Sequence, residues 1–260
     1  MRDNNLVHYG QHFLIDQVVL AAFLKMAKVN ASLKVLEIGP GEGALTKELA
    51  KKAQSVTAVE IDETLKPPLD KLTQQFSNLQ VFFGNVLEWR DYQFDLVCGA
   101  LSYAIYEPLM IRLYRERNFN QGVFLVSLKV KANYEGRTGL LGYLLRAFFR
   151  AEFSDAISPR EFKPAPRAPG VIVKLTRLEK VSALDHFWQE LFWQQDKKLR
   201  NSLRETVMAF KLAEGKTLTK KETRQIISGL PTEILEKTIW QLSNESLGKV
   251  HQFIVYFASC

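Results

Sequence analysis

Cysteine is nearly missing from this chain, with only Cys98 and Cys260 among 260 residues. That count excludes a disulfide framework and leads us to expect a reducing, cytoplasmic setting. Long apolar runs are missing as well. None reaches the roughly 18 residues a helix needs to cross a bilayer, so no membrane partner is expected, although 47% of the residues are hydrophobic and a full core is available. Histidine is sparse, and His8, His12, His186 and His251 lack metal-ligand spacing, so no metal is expected. There is no Ser/His/Asp or Cys/His grouping that would mark a nucleophile, and Asp91 and Asp95 lack a partner for acid–base work. The opening Met1-Arg2-Asp3-Asn4-Asn5 lacks the charged-then-apolar order of a secretory signal. Internal repeats and low-complexity tracts are lacking too.

Charge is present in excess, and unevenly. The net formal charge is +7. Residues 112–177 carry 13 basic against 5 acidic side chains, and residues 197–224 carry 9 against 3, whereas residues 1–111 carry 10 against 13. A downstream basic excess is the footprint expected for a phosphate backbone; a solvated surface is the plainer alternative.

The densest signal is Val35-Leu36-Glu37-Ile38-Gly39-Pro40-Gly41-Glu42-Gly43-Ala44-Leu45-Thr46, which reads as a buried strand, a glycine turn and a helix start. A second strand, Ser55–Glu60, ends on an acid that could accept hydrogen bonds from both hydroxyls of a ribose. Dinucleotide sites want G-x-G-x-x-G. Here the spacing is G-x-G-x-G with Pro40 inside it, which is similar to motif I of S-adenosylmethionine-dependent methyltransferases.

Strand-like runs at 33–38, 55–60, 79–83, 94–98, 121–130 and 170–177 alternate with helical segments. That pattern predicts an α/β fold with an open, mainly parallel sheet and helices on both faces. Ligands of such sheets sit beyond the carboxyl ends of the strands, where the glycine turn, Glu60, Gly84–Val86 and Gly99–Tyr103 would converge. Residues 184–213, 219–228 and 231–257 have helical periodicity, with Leu191, Phe192, Leu199, Leu203, Val207 and Phe210 on one apolar face. The expected organisation is therefore a Rossmann-like domain over 1–178 and a small all-helical domain over 179–260. Phe82-Phe83, Phe148-Phe149, Trp188 and Trp193 are expected to pack in cores.

Taken together, several segments resemble the ribosomal RNA adenine dimethyltransferase family. Gly10-Gln11-His12-Phe13-Leu14-Ile15-Asp16 is similar to its G-Q-N-F-L-x-D signature, Leu36–Leu45 to its L-E-I-G-P-G-x-G-x-L, and Glu60-Ile61-Asp62 to its E-x-D. Phe162-Lys163-Pro164-Ala165-Pro166 resembles F-x-P-x-P, and Lys198–Leu203 resembles the K-x-L-R-N-x-L of the helical domain. The resemblance implies a class I methyltransferase fold, S-adenosylmethionine as cofactor, and ribosomal RNA or a precursor small subunit as partner; a monomer is expected, although the sequence leaves the oligomeric state open. It places Gln11, Phe13 and Leu14 at the rim of the cofactor pocket and Gly39, Gly41 and Gly43 beside the methionine portion. Glu60 and Ile61 would meet the ribose side, and Asn85 and Val86 the adenine. Ala100, Leu101, Ser102 and Tyr103 would form motif IV at the reacting amine, Ala100 also adjoining the cofactor. Phe162 would sandwich the target base opposite Tyr103.

The chain departs from the family at three places. Ala100 and Ser102 stand where motif IV has Asn and Pro, Asn85 stands for Asp, and His12 stands for Asn. A side-chain acceptor that orients the target amine is missing at Ala100, and losing one such group costs on the order of 3 kcal/mol of transition-state stabilisation. Three readings remain open from sequence: an rRNA adenine methyltransferase, a cofactor- and RNA-binding relative with weak or no catalysis that acts in ribosome assembly or on another nucleic acid, and a small-molecule methyltransferase.

Overall fold

All six strand-like runs become strands. The computed structural model describes residues 13–14, 16–90, 93–116 and 119–258. Its strands are β1 (Phe13–Leu14), β2 (Lys34–Ile38), β3 (Ser55–Glu60), β4 (Leu79–Phe83), β5 (Leu96–Ala100), β6 (Gln121–Ser127), β7 (Phe149–Phe153), β8 (Phe162–Lys163) and β9 (Gly170–Arg177). Seven of them form one sheet in the order β4-β3-β2-β5-β6-β9-β7, parallel from β4 to β6 and antiparallel through β9 and β7. The chain runs outward from β2 to β4, then returns to β5 on the other side of β2, so the strand order reverses between β2 and β5. That reversal leaves a crevice at the carboxyl ends of these strands.

The helices of this unit follow from short local signals. In α1 (Gln17–Ala27), Asp16 Oδ1 accepts from the Val19 amide at 2.8 Å, and Lys28 closes the helix at φ +52°. Then come α2 (Ala44–Lys52), entered directly from the glycine turn, α3 (Lys66–Gln75), with prolines in its first turn where no amide is missed, and α4 (Tyr103–Leu113). One face of the sheet buries Val35, Val56, Cys98, Val123 and Ile172 with Phe23 and Leu49. On β6, Phe124 meets Tyr106 of α4 edge-to-face at 5.6 Å. The guanidinium of the half-buried Arg177 donates to the carbonyls of Phe119, Leu113, Tyr114 and Glu116 at 2.9 to 3.1 Å, so a charged residue at a strand end ties down the turn after α4.

Contacts sort the chain into two compact units, one of residues 1–131 with 149–177 and one of 132–148 with 178–260. The second unit thus takes in a segment that lies inside the expected 1–178 domain. Beyond α5 (Lys129–Gly136), α6 (Gly139–Phe148) is apolar on most of its surface, and its partner is α7 (Ala183–Trp193): Tyr143 stacks on Trp188 at 4.4 Å and Gln189 Nε2 donates to the Ala147 carbonyl at 2.6 Å. The rest of the unit is α8 (Leu199–Ala213), α9 (Lys220–Ile227), α10 (Thr232–Leu235) and α11 (Asn244–Ala258). A capping box between Thr219 and Glu222 starts α9.

Where structure and sequence differ, the reasons are local. The 184–213 helix breaks at 194–198, which folds α8 back so that Phe187 meets Phe210 at 5.0 Å; one apolar stripe becomes two facing ones. Leu191, Phe192, Leu199, Leu203 and Val207 are buried as expected, with Phe210 half-buried. The 231–257 helix breaks between α10 and α11. β5 lies two residues later than expected, at 96–100, which draws Ala100 into the strand. β6 stops at Ser127 because the chain turns into α5, and β7 was not anticipated: helix gives way to strand between Phe148 and Phe149 without a loop. Both of those phenylalanines are core. Phe82 and Trp193 are not, at 43% and 46% exposed, with their rings edge-on to Trp89 and Phe148 respectively.

Candidate cofactor and base-binding site

The glycine turn leaves β2 with Gly39, Gly41 and Gly43 all at positive φ, +66°, +59° and +89°, a backbone path other residues resist. The Gly39 amide donates to Val59 O at 2.9 Å and the Gly84 amide to Glu60 O at 2.7 Å, so three strand ends are stitched side by side. A Cβ added to Gly39 or Gly84 would meet nothing within 4 Å. Both positions therefore front open space at the carboxyl edge. Gly99 has the opposite constraint: a Cβ there would lie 2.3 Å from the Ile38 carbonyl oxygen. Only glycine lets β5 approach the turn so closely.

Glu60 does more than wait for a ribose. It is 2% exposed; its Oε2 accepts from the Gly41 amide at 3.0 Å, and its Oε1 accepts from the Ile61 and Asp62 amides at 2.9 Å each. The carboxylate thus pins the turn to the end of β3. Three of its roughly four acceptor positions are taken, which leaves room for one ribose hydroxyl where two were expected. Burial pushes its pKa up, while the amides of Asp62, Gly41 and Ile61 pull it back. Next to it Ile61 is 49% exposed, an apolar side chain on the rim of a polar turn. Asp62, buried, fixes the following loop by accepting from Thr64 N and Oγ1 at 3.0 and 2.6 Å.

At the end of β4, Asn85 Oδ1 caps a short 3-10 turn over Val86–Glu88 by accepting from the Leu87 amide at 3.0 Å. That contact settles the orientation of the amide. The oxygen is committed to the backbone, and the remaining Asn85 atom, Nδ2, is a donor where an aspartate would offer a second acceptor. Val86 is buried beneath this turn.

Motif IV lies at the end of β5. Ala100 is half-buried against the core, Leu101 is buried and its amide donates to Leu125 O at 2.8 Å, and Ser102 precedes α4 without a side-chain capping bond. Tyr103 opens α4, and its side chain lies outside what the structure describes. Phe162 is the clearest surprise. It is 8% exposed and its ring belongs to the core with Leu125, Ile157 and Ile172, because the residue heads a strand whose alternate positions face inward. In this conformation it packs the core and offers no face to a base. The main chain of β8 nevertheless brings the two most specific sequence signatures together: Phe13 pairs with Lys163 and Leu14 with Phe162, antiparallel. Gln11 and His12 lie outside the described residues, as do the side chains of Phe13 and Leu14.

One buried group escaped the site assignment. Glu37, 1% exposed under α2, has its carboxyl pushed up to about 8, chiefly by burial, with Thr46 lowering it and Glu60 raising it. Among the described residues Glu37 Oε2 and Thr46 Oγ1 have no hydrogen-bond partner, so Thr46 acts on the carboxyl by proximity. The signal was an acid inside an otherwise apolar strand. Burial and the nearby Glu37 also push the Cys98 thiol well up. Among the described residues no group of three His, Cys, Asp or Glu side chains could hold a metal ion, and no helix is long and apolar enough to cross a membrane.

Comparison with known proteins gives one consistent answer. A family model described as ribosomal RNA adenine dimethylase matches residues 2–231. The probable ribosomal RNA small subunit methyltransferase A of Methanothermobacter thermautotrophicus is 31% identical over 253 residues, covering 94% of this chain and 89% of that protein. The ribosomal RNA small subunit methyltransferase A of Clostridium botulinum is 32% identical over 183 residues, covering 65% of this chain and 66% of its own length. Among solved structures, a dimethyladenosine transferase from Plasmodium falciparum is similar with a TM-score of 0.63 at 22% identity, covering 94% of this chain and 96% of that one. The 23S rRNA methyltransferase ErmE has a TM-score of 0.61 at 21% identity, covering 94% and 99%; at these identities both show the fold. With its G-x-G-x-G turn, its acid at the end of the second strand of the parallel core, and a family match over nearly the whole sequence, the chain belongs to the ribosomal RNA adenine dimethylase family.

Proposed function

We propose that this protein is an S-adenosylmethionine-dependent methyltransferase that acts on the exocyclic amine of adenine in small-subunit ribosomal RNA, as a monomer. The observation that carries the reading is the Glu60 carboxylate fastening Gly41 beneath open space over Gly39 and Gly84. A turn built this way admits a nucleoside with its ribose at the free position of Glu60. Ile61 offers the apolar surface a purine would cover, and Asn85 and Val86 bound the other side. When bound, the cofactor supplies an electrophilic methyl group. The protein's own contribution is placement: motif IV holds the amine in line, and no covalent enzyme intermediate is needed. The basic segments 112–177 and 197–224 suit an RNA backbone, and an adenine lifted from its stack suits a site at the end of β5.

A second reading has one specific observation behind it. Ala100 presents no side-chain acceptor and is packed against the core, so positioning of the amine falls to main-chain carbonyls and the Ser102 hydroxyl. A protein that binds cofactor and RNA yet transfers methyl groups slowly would look like this. Tritium transfer from labelled cofactor to immature small subunits, followed by mass analysis of the RNA, tests the first reading; absence of methyl gain on small-subunit RNA or its precursor particles refutes it. The same assay on Ala100→Asn/Ser102→Pro separates the two. A gain of about a hundredfold in rate, the worth of one oriented acceptor, marks the natural loop as impaired. Unchanged, rapid transfer marks it as competent by another arrangement.

A further inference from the structure

Glu37 is a buried acid without a counterpart. It lies two residues before Gly39, in register with Ala58 of β3 and Cys98 of β5, and is 1% exposed. Its side chain leaves β2 on the same face as Val35, beneath the first turn of α2. Among the described residues it makes no ion pair. The groups that face it do not favour its charge. Glu60 lies on the β3 side and Cys98 on the β5 side, both of them acids, and Thr46 of α2 is uncharged. Lys47, Glu48, Lys51 and Lys52 of α2, Lys25 of α1 and Glu42 of the turn are exposed or half-buried. Burial therefore keeps the carboxyl protonated up to about pH 8.

Two buried atoms are left over at this point. Glu37 Oε2 and Thr46 Oγ1 both lack a partner among the described residues. Unpaired buried polar atoms are costly, and native structures retain few of them. A hydroxyl rotates freely and donates most strongly to an ionised acceptor. The Glu37–Thr46 pair is thus poorly matched while the carboxyl is neutral and well matched once it is charged. A nearby positive charge is what the ionised form lacks. The turn beside Glu37 fronts the open space over Gly39, and a charge placed in a low-dielectric setting is felt without contact. S-adenosylmethionine carries a sulfonium. S-adenosylhomocysteine, left after methyl transfer, keeps the same ammonium but has neutral sulfur.

We propose that Glu37 releases its proton to solvent when the sulfonium cofactor occupies the turn, and regains one when the neutral-sulfur product stands there instead. Glu37 is then a specificity residue that tells cofactor from product without touching either. As the proton leaves the Glu37 carboxyl, Thr46 Oγ1 turns its hydrogen to the carboxylate; no bond to carbon forms or breaks. The proposal rests on the cofactor reading above and deepens it. Its sign follows from linkage. The free protein holds the proton up to about pH 8 and the loaded one only to a lower pH, so cofactor affinity rises with pH below about 8 and levels off above.

Calorimetry of the full chain in buffers of different ionisation enthalpy counts the protons released. The ligand's own ammonium titrates near pH 8, but it contributes equally to wild type and Glu37→Gln, so their difference isolates Glu37. With S-adenosylmethionine near pH 7, wild type should release about half a proton more than Glu37→Gln. With S-adenosylhomocysteine that excess should fall by more than about half. From about pH 6 to about pH 8.5, the preference of wild type for cofactor over product should grow about three- to tenfold more than that of Glu37→Gln. Equal proton counts for the two proteins, or the same excess with both ligands, overturn the proposal. Difference infrared spectra of wild type need no variant: the band of a protonated carboxyl should be lost on adding S-adenosylmethionine and kept on adding S-adenosylhomocysteine. The same band with both ligands overturns the proposal as well. If wild type binds no S-adenosylmethionine, the cofactor reading fails; if it binds with the proton count of Glu37→Gln, only the role of Glu37 fails.

Discussion

Glu60→Gln isolates the interaction on which the cofactor site is built. Glutamine has nearly the shape of glutamate but one acceptor atom where glutamate has two. In the wild type one oxygen serves the Ile61 and Asp62 amides and the other serves Gly41. The variant best keeps its oxygen on the first pair, which turns its NH2 toward the Gly41 N–H, donor against donor. One buried hydrogen bond to a charged group is lost, worth about 1.5–3 kcal/mol, and the Gly41 amide is left without a partner. The ribose acceptor is lost with it. Stability should fall by about 2 kcal/mol and cofactor affinity by about 10- to 100-fold. Denaturant melts measure the first quantity and calorimetry with S-adenosylmethionine the second. Glu60→Asp serves as a companion, since it keeps the charge but withdraws it by one methylene; it should fall between the two. Wild-type affinity in Glu60→Gln would refute the reasoning, because the turn would then hold its shape and its ligand without the carboxylate. A loss of stability without a loss of affinity would confine Glu60 to a structural role.

Two further predictions concern neighbouring groups. Asn85→Asp returns a second acceptor to the purine side while keeping the cap on Leu87, and should tighten cofactor binding about 10- to 100-fold by calorimetry, the worth of one hydrogen bond to a charged acceptor; unchanged or weaker binding would place the purine elsewhere. Glu37 should make stability depend on pH. Its folded pKa is raised from 4.5 to about 8, so between those values the folded state keeps a proton that the unfolded chain releases. Stability is therefore full below about pH 4.5, declines as pH rises towards 8, and levels off above. For a carboxyl so deeply buried the proton is worth on the order of 2–5 kcal/mol. Glu37→Gln should raise the melting temperature at pH 8.5 and flatten the wild-type decline from pH 5 to 8.5; an identical pH profile would show that the carboxyl is solvated.

The sequence by itself was enough for six of the nine strands, the turn and the family. Short apolar runs that alternate with helical segments read as buried strands, and three glycines around Pro40 read as a turn, so Ile38–Gly43 and Ser55–Glu60 were legible as a ligand-facing edge. Local patterns also carried the apolar stripe of the helical unit. Other features needed the third dimension, because they are distances between residues far apart in the chain. That Glu60 spends its oxygens on Gly41, that Asn85 commits its oxygen to Leu87, that Phe162 turns inward rather than towards a base, and that residues 132–148 pack with the helical unit are all outcomes of register and packing. The same holds for charge. Composition could say that 197–224 is basic, yet only the fold shows which of its cations meet a carboxylate, as Arg200 meets Glu236. Charge is a property of the residue, whereas its compensation is a property of the neighbours that folding brings.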